Sequence, residues 1–117
     1  MNATEKRIRI AELRGWTFPH GSVVTHESQL CRRPGGNWAT QRDSVPDYLN
    51  SRDACAEFEA GLKGMEQFRY REQLYQVCGE AAARGDFHEG DDVHFCVITA
   101  SAAQRCDAFL LLHGEKP

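Results

Sequence analysis

Two helix starts in this chain share one layout, and they set how its apolar and polar positions are organised. Val45-Pro46-Asp47-Tyr48-Leu49-Asn50-Ser51 leads into a stretch whose apolar residues Ala54, Cys55, Phe58 and Leu62 recur at helical spacing. The apolar run from Val93 to Ile98 breaks at Thr99-Ala100-Ser101 and continues as a helical pattern. Cys106, Phe109, Leu110 and His113 line one face of it. Ser101 with Gln104 makes a capping box, each side chain satisfying a backbone N–H of the other's turn. Asn50 or Ser51 caps the earlier helix, and Asp53 in its first turn suits the positive end of the helix dipole.

The remaining elements follow from the same two periodicities. Asn2 and Glu5 fit a capping box for a first helix striped by Ile8, Ala11 and Leu13, and Gly15 ends it as a left-handed C′ residue. Trp16-Thr17-Phe18 is β-prone until Pro19. From Gly21 to Gln41 the pattern is irregular. Val23-Val24-Thr25 and Leu30-Cys31-Arg32-Arg33 read as short strands, Pro34-Gly35-Gly36-Asn37 as a turn, and Trp38-Ala39-Thr40 as an antiparallel return. The second helix stops at Gly61 or Gly64. A third amphipathic segment carries Tyr70, Leu74, Val77, Cys78 and Ala81 on one face and closes at Gly85. Phe87-His88 is a short extended piece, Glu89 to Asp92 a polar turn, and Val93 to Ile98 the strongest strand pattern. This order predicts an α+β sandwich whose helices cover a small, mostly antiparallel sheet.

Composition narrows the picture without naming a chemistry. At 117 residues the chain reads as a single domain, 1–117, large enough to bury a core without staples. The net charge of −3 gives no overall attraction to nucleic acid or anionic membrane. The longest apolar run, Ala108 to Leu112, is far too short to span a bilayer, and no signal-peptide stretch follows the N-terminus. The expected location is therefore cytoplasmic. Five cysteines (Cys31, Cys55, Cys78, Cys96 and Cys106) are an odd number with no Cys-x-x-Cys pair. They read as reduced thiols acting as small core hydrophobes.

Several of these residues resemble a known family. Ile10-Ala11-Glu12-Leu13 leading to Gly15-Trp16, then Val45 to Asn50 with Ala54, the helix around Tyr70 and Leu74, and Ala100 to Leu110 resemble the phage ABA (α/β/α) sandwich domain of small phage and prophage proteins. Ser101 stands where family members tend to carry Thr, and His113-Gly114 stands in place of a closing Leu-Gly. The stretch from Val23 to Asp43 has no match. The resemblance implies a three-layer α/β/α sandwich and a phage origin, and it implies no agreed activity.

Candidate chemistry is sparse. His20, His26 and Cys31 fall in one region but lack zinc-ligand spacing, and His88 and His94 flank an acidic turn without an EF-hand pattern; no metal or cofactor is expected. No nucleophile elbow supports Cys31 with a nearby histidine, and Gly35-Gly36 lacks the Lys-Ser/Thr of a phosphate loop; no catalytic residue is assigned. Arg32, Arg33 and Arg42 cluster about the Gly-Gly turn beside Trp38, a pattern that fits an aromatic and guanidinium platform for nucleic acid. Asp47 is placed to pair with Arg105 if the two helix starts lie side by side, with Tyr48 packed over the sheet. The expected binding residues are thus Arg32, Arg33, Trp38, Asp47, Tyr48 and Arg105. The function expected is a non-enzymatic phage or prophage accessory protein that binds a host or phage protein through the loops between Val23 and Asp43. Nucleic-acid binding at the Arg32-Arg33/Trp38 turn is the alternative. Self-association through an exposed sheet edge is compatible with both.

Overall fold

Asn2 starts the first helix, as its sequence context predicts. In the computed structural model, which describes residues 1–18, 30–40, 45–83 and 99–117, α1 spans Ala3–Leu13. The Asn2 side chain accepts from the Glu5 N–H at 2.8 Å, and its amide donates to the Glu5 carboxylate at 2.9 Å. The reciprocal arm of the box therefore closes on a side chain rather than on the backbone. The helix ends with the Trp16 N–H donating to the Ala11 carbonyl and the Gly15 N–H to that of Glu12. Gly15 takes φ +94, which only glycine adopts without strain. A Cβ there would also stand 3.2 Å from Pro34 Cγ, so the same glycine lets the hairpin turn dock on the helix end.

The hairpin itself pairs β1 (Leu30–Arg32) with β2 (Trp38–Thr40) antiparallel, in the register Leu30 to Thr40, Cys31 to Ala39 and Arg32 to Trp38. Thr17 bridges the other edge of β1, exchanging two 2.9 Å backbone hydrogen bonds with Arg32. Ser51 then caps α2 (Arg52–Ala60), accepting from the Ala54 N–H. Of the two stops predicted, Gly61 is the C-cap, and it leaves room for the Arg14 guanidinium, which a Cβ at this position would meet. A cation at that end complements the dipole of α2. After Gly64, α3 runs from Met65 to Ala83. The Ser101/Gln104 capping box that opens α4 (Ala102–Leu112) has both arms, at 3.1 and 2.9 Å.

The apolar stripes meet one another. α4 contacts each of the other three helices, and Ala102, Cys106, Ala108, Phe109 and Leu110 of it are buried. Phe58 of α2 stacks on Phe109 with ring centroids 4.4 Å apart, and Tyr48 and Tyr70 approach the same ring at 5.9 and 6.3 Å. Ile8, Ile10 and Ala11 of α1 and Leu74 and Cys78 of α3 complete this core. Ile10 is fully buried although it lies outside the predicted Ile8/Ala11/Leu13 stripe, and Leu13 is only partly covered.

These observations correct the expected fold class. Among the described residues the fold is helix-dominated, and its β structure is one pair of three-residue strands with a single flanking bridge. It is not a three-layer α/β/α sandwich. The physical reason is that the helical stripes bury against each other, and strands this short have too little face for helices to cover from both sides. Tyr48 accordingly packs on Phe58 rather than over a sheet. Val23 to Thr25, Phe87-His88, the turn from Glu89 to Asp92 and the run Val93 to Ile98 lie outside the described residues. No described helix is long and apolar enough to cross a membrane.

Phe58 is the ring that Tyr48, Tyr70 and Phe109 share, so its truncation leaves a cavity against α3, α4 and the turn before α2. Phe58→Ala is expected to cost about 3–5 kcal/mol of unfolding free energy in a denaturant titration. A loss below about 1 kcal/mol would contradict this description of the core.

Candidate functional site

The predicted site residues fall into two groups on different elements. Arg105, in the first turns of α4, donates from its guanidinium to Glu59 Oε2 at 2.8 Å and to the Ala100 carbonyl at 3.1 Å. Tyr70 donates its hydroxyl to the same Glu59 oxygen at 2.8 Å. The expected Asp47–Arg105 pair does not form. Asp47 is exposed, and its carboxylate instead accepts from Asn50 Nδ2 at 3.1 and 3.3 Å, within its own turn. One carboxylate thus ties α2, α3 and α4 together, with Arg105 only 13% exposed and Glu59 26%. Burial, followed by the hydrogen bond to Glu59, pushes the Tyr70 phenol above its ordinary range. The group floors a cleft of about 340 Å³ walled by Leu62, Gln67, Arg71 and Leu74. Such a network positions the three helices through one shared carboxylate.

The second group surrounds the hairpin turn. Arg33 places its guanidinium 5.7 Å from the centroid of the Trp16 ring, a cation–π contact across the hairpin and the end of α1. Arg32 donates from Nε to the Gly36 carbonyl at 2.9 Å, which braces the turn from inside. Trp38, its cross-strand partner, keeps 49% of its surface open. A cleft of about 440 Å³ runs between the turn and the helices, lined by Arg14, Trp16, Arg33, Pro34, Tyr48 and Glu57. Tyr48 is 1% exposed, and burial raises its phenol to about 12, so it contributes shape rather than charge at neutral pH. Of the expected binding residues, Arg33 and Tyr48 therefore share a wall, Arg32 and Trp38 share a strand pair, and Asp47 and Arg105 belong elsewhere.

Two further features concern residues with chemistry. Cys55 and Cys106, both fully buried, lie with their sulfur atoms 3.9 Å apart. Each thiol also donates to the Tyr48 carbonyl, at 3.1 and 3.2 Å. Cys31 is likewise buried, and burial pushes its thiol pKa up, away from a reactive thiolate. Among the described residues no cluster of three or more metal-ligating side chains forms. His20, His26, Arg42, His88 and His94 lie outside the described residues.

Reading the sequence missed Glu59, the acid that Arg105 meets, and the contact that Arg33 makes with the Trp16 ring. It also missed the exposed pair Met65 and Phe68 on the first turn of α3, 64% and 56% open. The last pair had a signal, since Phe68 falls off the Tyr70/Leu74/Cys78 stripe and so must face away from the core. The contacts of Glu59 and Trp16 join residues far apart in the chain, and no spacing announces them.

If Glu59 clamps the helices, its energy is shared with Arg105. A double-mutant cycle of Glu59→Ala and Arg105→Ala, read by denaturant unfolding, is expected to give a coupling of about 1–2 kcal/mol. Simple additivity would show that the pair is decorative. No family model, curated protein or solved structure matches the chain, so the resemblance to phage ABA sandwich proteins stands on its quoted residues alone.

Proposed function

We propose that this protein is a non-enzymatic accessory module, of phage or prophage origin, that binds a host or phage protein in the cytoplasm of the bacterial cell. The observation that carries the reading is Trp38, a large indole left half open on a rigidly braced hairpin. Exposed aromatic anchors are among the residues that dominate protein–protein contacts. Arg32 stands opposite Trp38 in the strand pair and is tied to the Gly36 carbonyl, so little of its side-chain entropy is left to lose on binding. Met65 and Phe68 supply a second exposed apolar pair on α3. The phage origin rests on the sequence resemblance, which is taken here without its sandwich fold.

A second reading is favoured by one observation, the cross-strand placement of Arg32 opposite the open Trp38 ring. A base stacked on that indole would find a guanidinium beside it, the arrangement single-strand binders use. The overall charge of −3 weighs against it.

Immobilised protein exposed to nuclease-treated host lysate is expected to retain a specific protein, and Trp38→Ala is expected to reduce its recovery about tenfold or more, as loss of an anchor does. Equal recovery by Trp38→Ala would remove the hairpin from the contact. Binding that appears only without nuclease and fades with added salt would favour the second reading.

A further inference from the structure

Cys55 and Cys106 come from helices separated by 51 positions in the chain, yet their sulfurs are in van der Waals contact at 3.9 Å. They are oriented alike. Both thiols point at the Tyr48 carbonyl, and Cys55 additionally faces the Ala102 carbonyl at 3.6 Å. A disulfide needs its sulfurs only about 2 Å closer than this. A slight approach of α2 toward α4, or side-chain rotation in place, supplies that distance.

We infer that Cys55 and Cys106 form a reversible disulfide when the folded protein meets a peroxide, which locks α2 to α4. The chemistry needs no group the chain lacks. The Cys55 sulfur, as thiolate, attacks one peroxide oxygen; the O–O bond breaks, a sulfenic acid forms on Cys55, and the departing hydroxide takes up a proton to become water. The Cys106 sulfur then attacks the sulfenic sulfur, the S–O bond breaks, and a second water leaves with the Cys106 proton. Two thiols are oxidised by two electrons and one peroxide is reduced to two waters. The 3.9 Å separation places the Cys106 sulfur to attack a sulfenic acid on Cys55 without a large rearrangement. Access to the buried pair comes through local opening of the nine-residue α2.

Oxidation also changes a backbone contact. Both S–H donors vanish, so the Tyr48 carbonyl loses two hydrogen-bond partners at once. Tyr48 lines the cleft beside Trp16 and Arg33, which connects the sulfur pair to the wall of the candidate contact surface. That connection rests on the binding reading above, whereas the disulfide does not.

The test is a peptide map of the folded, full-length chain after mild hydrogen peroxide treatment and alkylation of the remaining thiols. The expected result is a mass loss of about 2 Da, disappearance of two alkylatable thiols, and one cross-linked tryptic pair, residues 53–63 with 106–117, that dithiothreitol releases. Cys31→Ser is expected to keep that pair, and Cys55→Ser to abolish it. Retention of all thiols, over-oxidation of Cys55 or Cys106 without a bridge, or a dominant bridge to another cysteine would each overturn the inference. The map of the unaltered chain decides the matter even if a cysteine variant fails to fold.

Discussion

The stack of Phe58 on Phe109 is the contact on which the rest of the structure depends. It joins α2 to α4 at the point where Tyr48 and Tyr70 also converge, so one pair of rings fixes four segments of chain. Burial of each ring contributes about 1.5–3 kcal/mol, and the ring geometry adds to that. α4 can serve as the centre because its small residues lie where neighbours come close. Ala102, Cys106 and Ala108 admit the other elements, while Phe109 and Leu110 fill the spaces between them. A helix apolar over so much of its surface has no stable place except inside.

Polar contacts then orient what the core holds. Lys6 reaches Asp107 at 2.9 Å, Arg9 reaches Glu115 at 2.7 Å, and Arg7 donates to the Val45 and Pro46 carbonyls. Three basic positions near one another on α1 are thus spent on α4, on the chain beyond it and on the segment that leads into α2. Most are partly exposed, so each is worth little alone, on the order of 0–1 kcal/mol. The Glu59 cluster differs because it is better covered and shared by three helices. What this scaffold leaves for other molecules is the hairpin turn, docked by Pro34 against Gly15 and braced by Arg33 over Trp16, with Trp38 facing outward.

Local features were legible from the sequence, and long-range ones were not. The caps at Asn2, Ser51 and Ser101, the stop at Gly15 and the antiparallel return of the hairpin depend on residues within a few positions of each other, where the chemistry is direct. The layer arrangement was misjudged because the helical stripes were read as covering a sheet. The helical stripes of Cys55/Phe58, Leu74/Cys78 and Cys106/Phe109 already had partners in one another. The candidate site was misjudged for a related reason. Asp47 and Arg105 sit at similar places in two helix starts, and that likeness suggested a pair. Asn50, three residues from Asp47, satisfies the carboxylate locally, and Glu59, near the C-terminal end of α2, is the acid that reaches Arg105.

α4 is the last region to open, since every other described helix is anchored to it. Native-state hydrogen exchange tests this most directly. Amides of Cys106 to Leu110 are expected to exchange only through global unfolding, with free energies equal to the denaturant-derived value, while those of β1 and β2 exchange through smaller openings. Fast exchange in α4, with the hairpin as the most protected element, would contradict it.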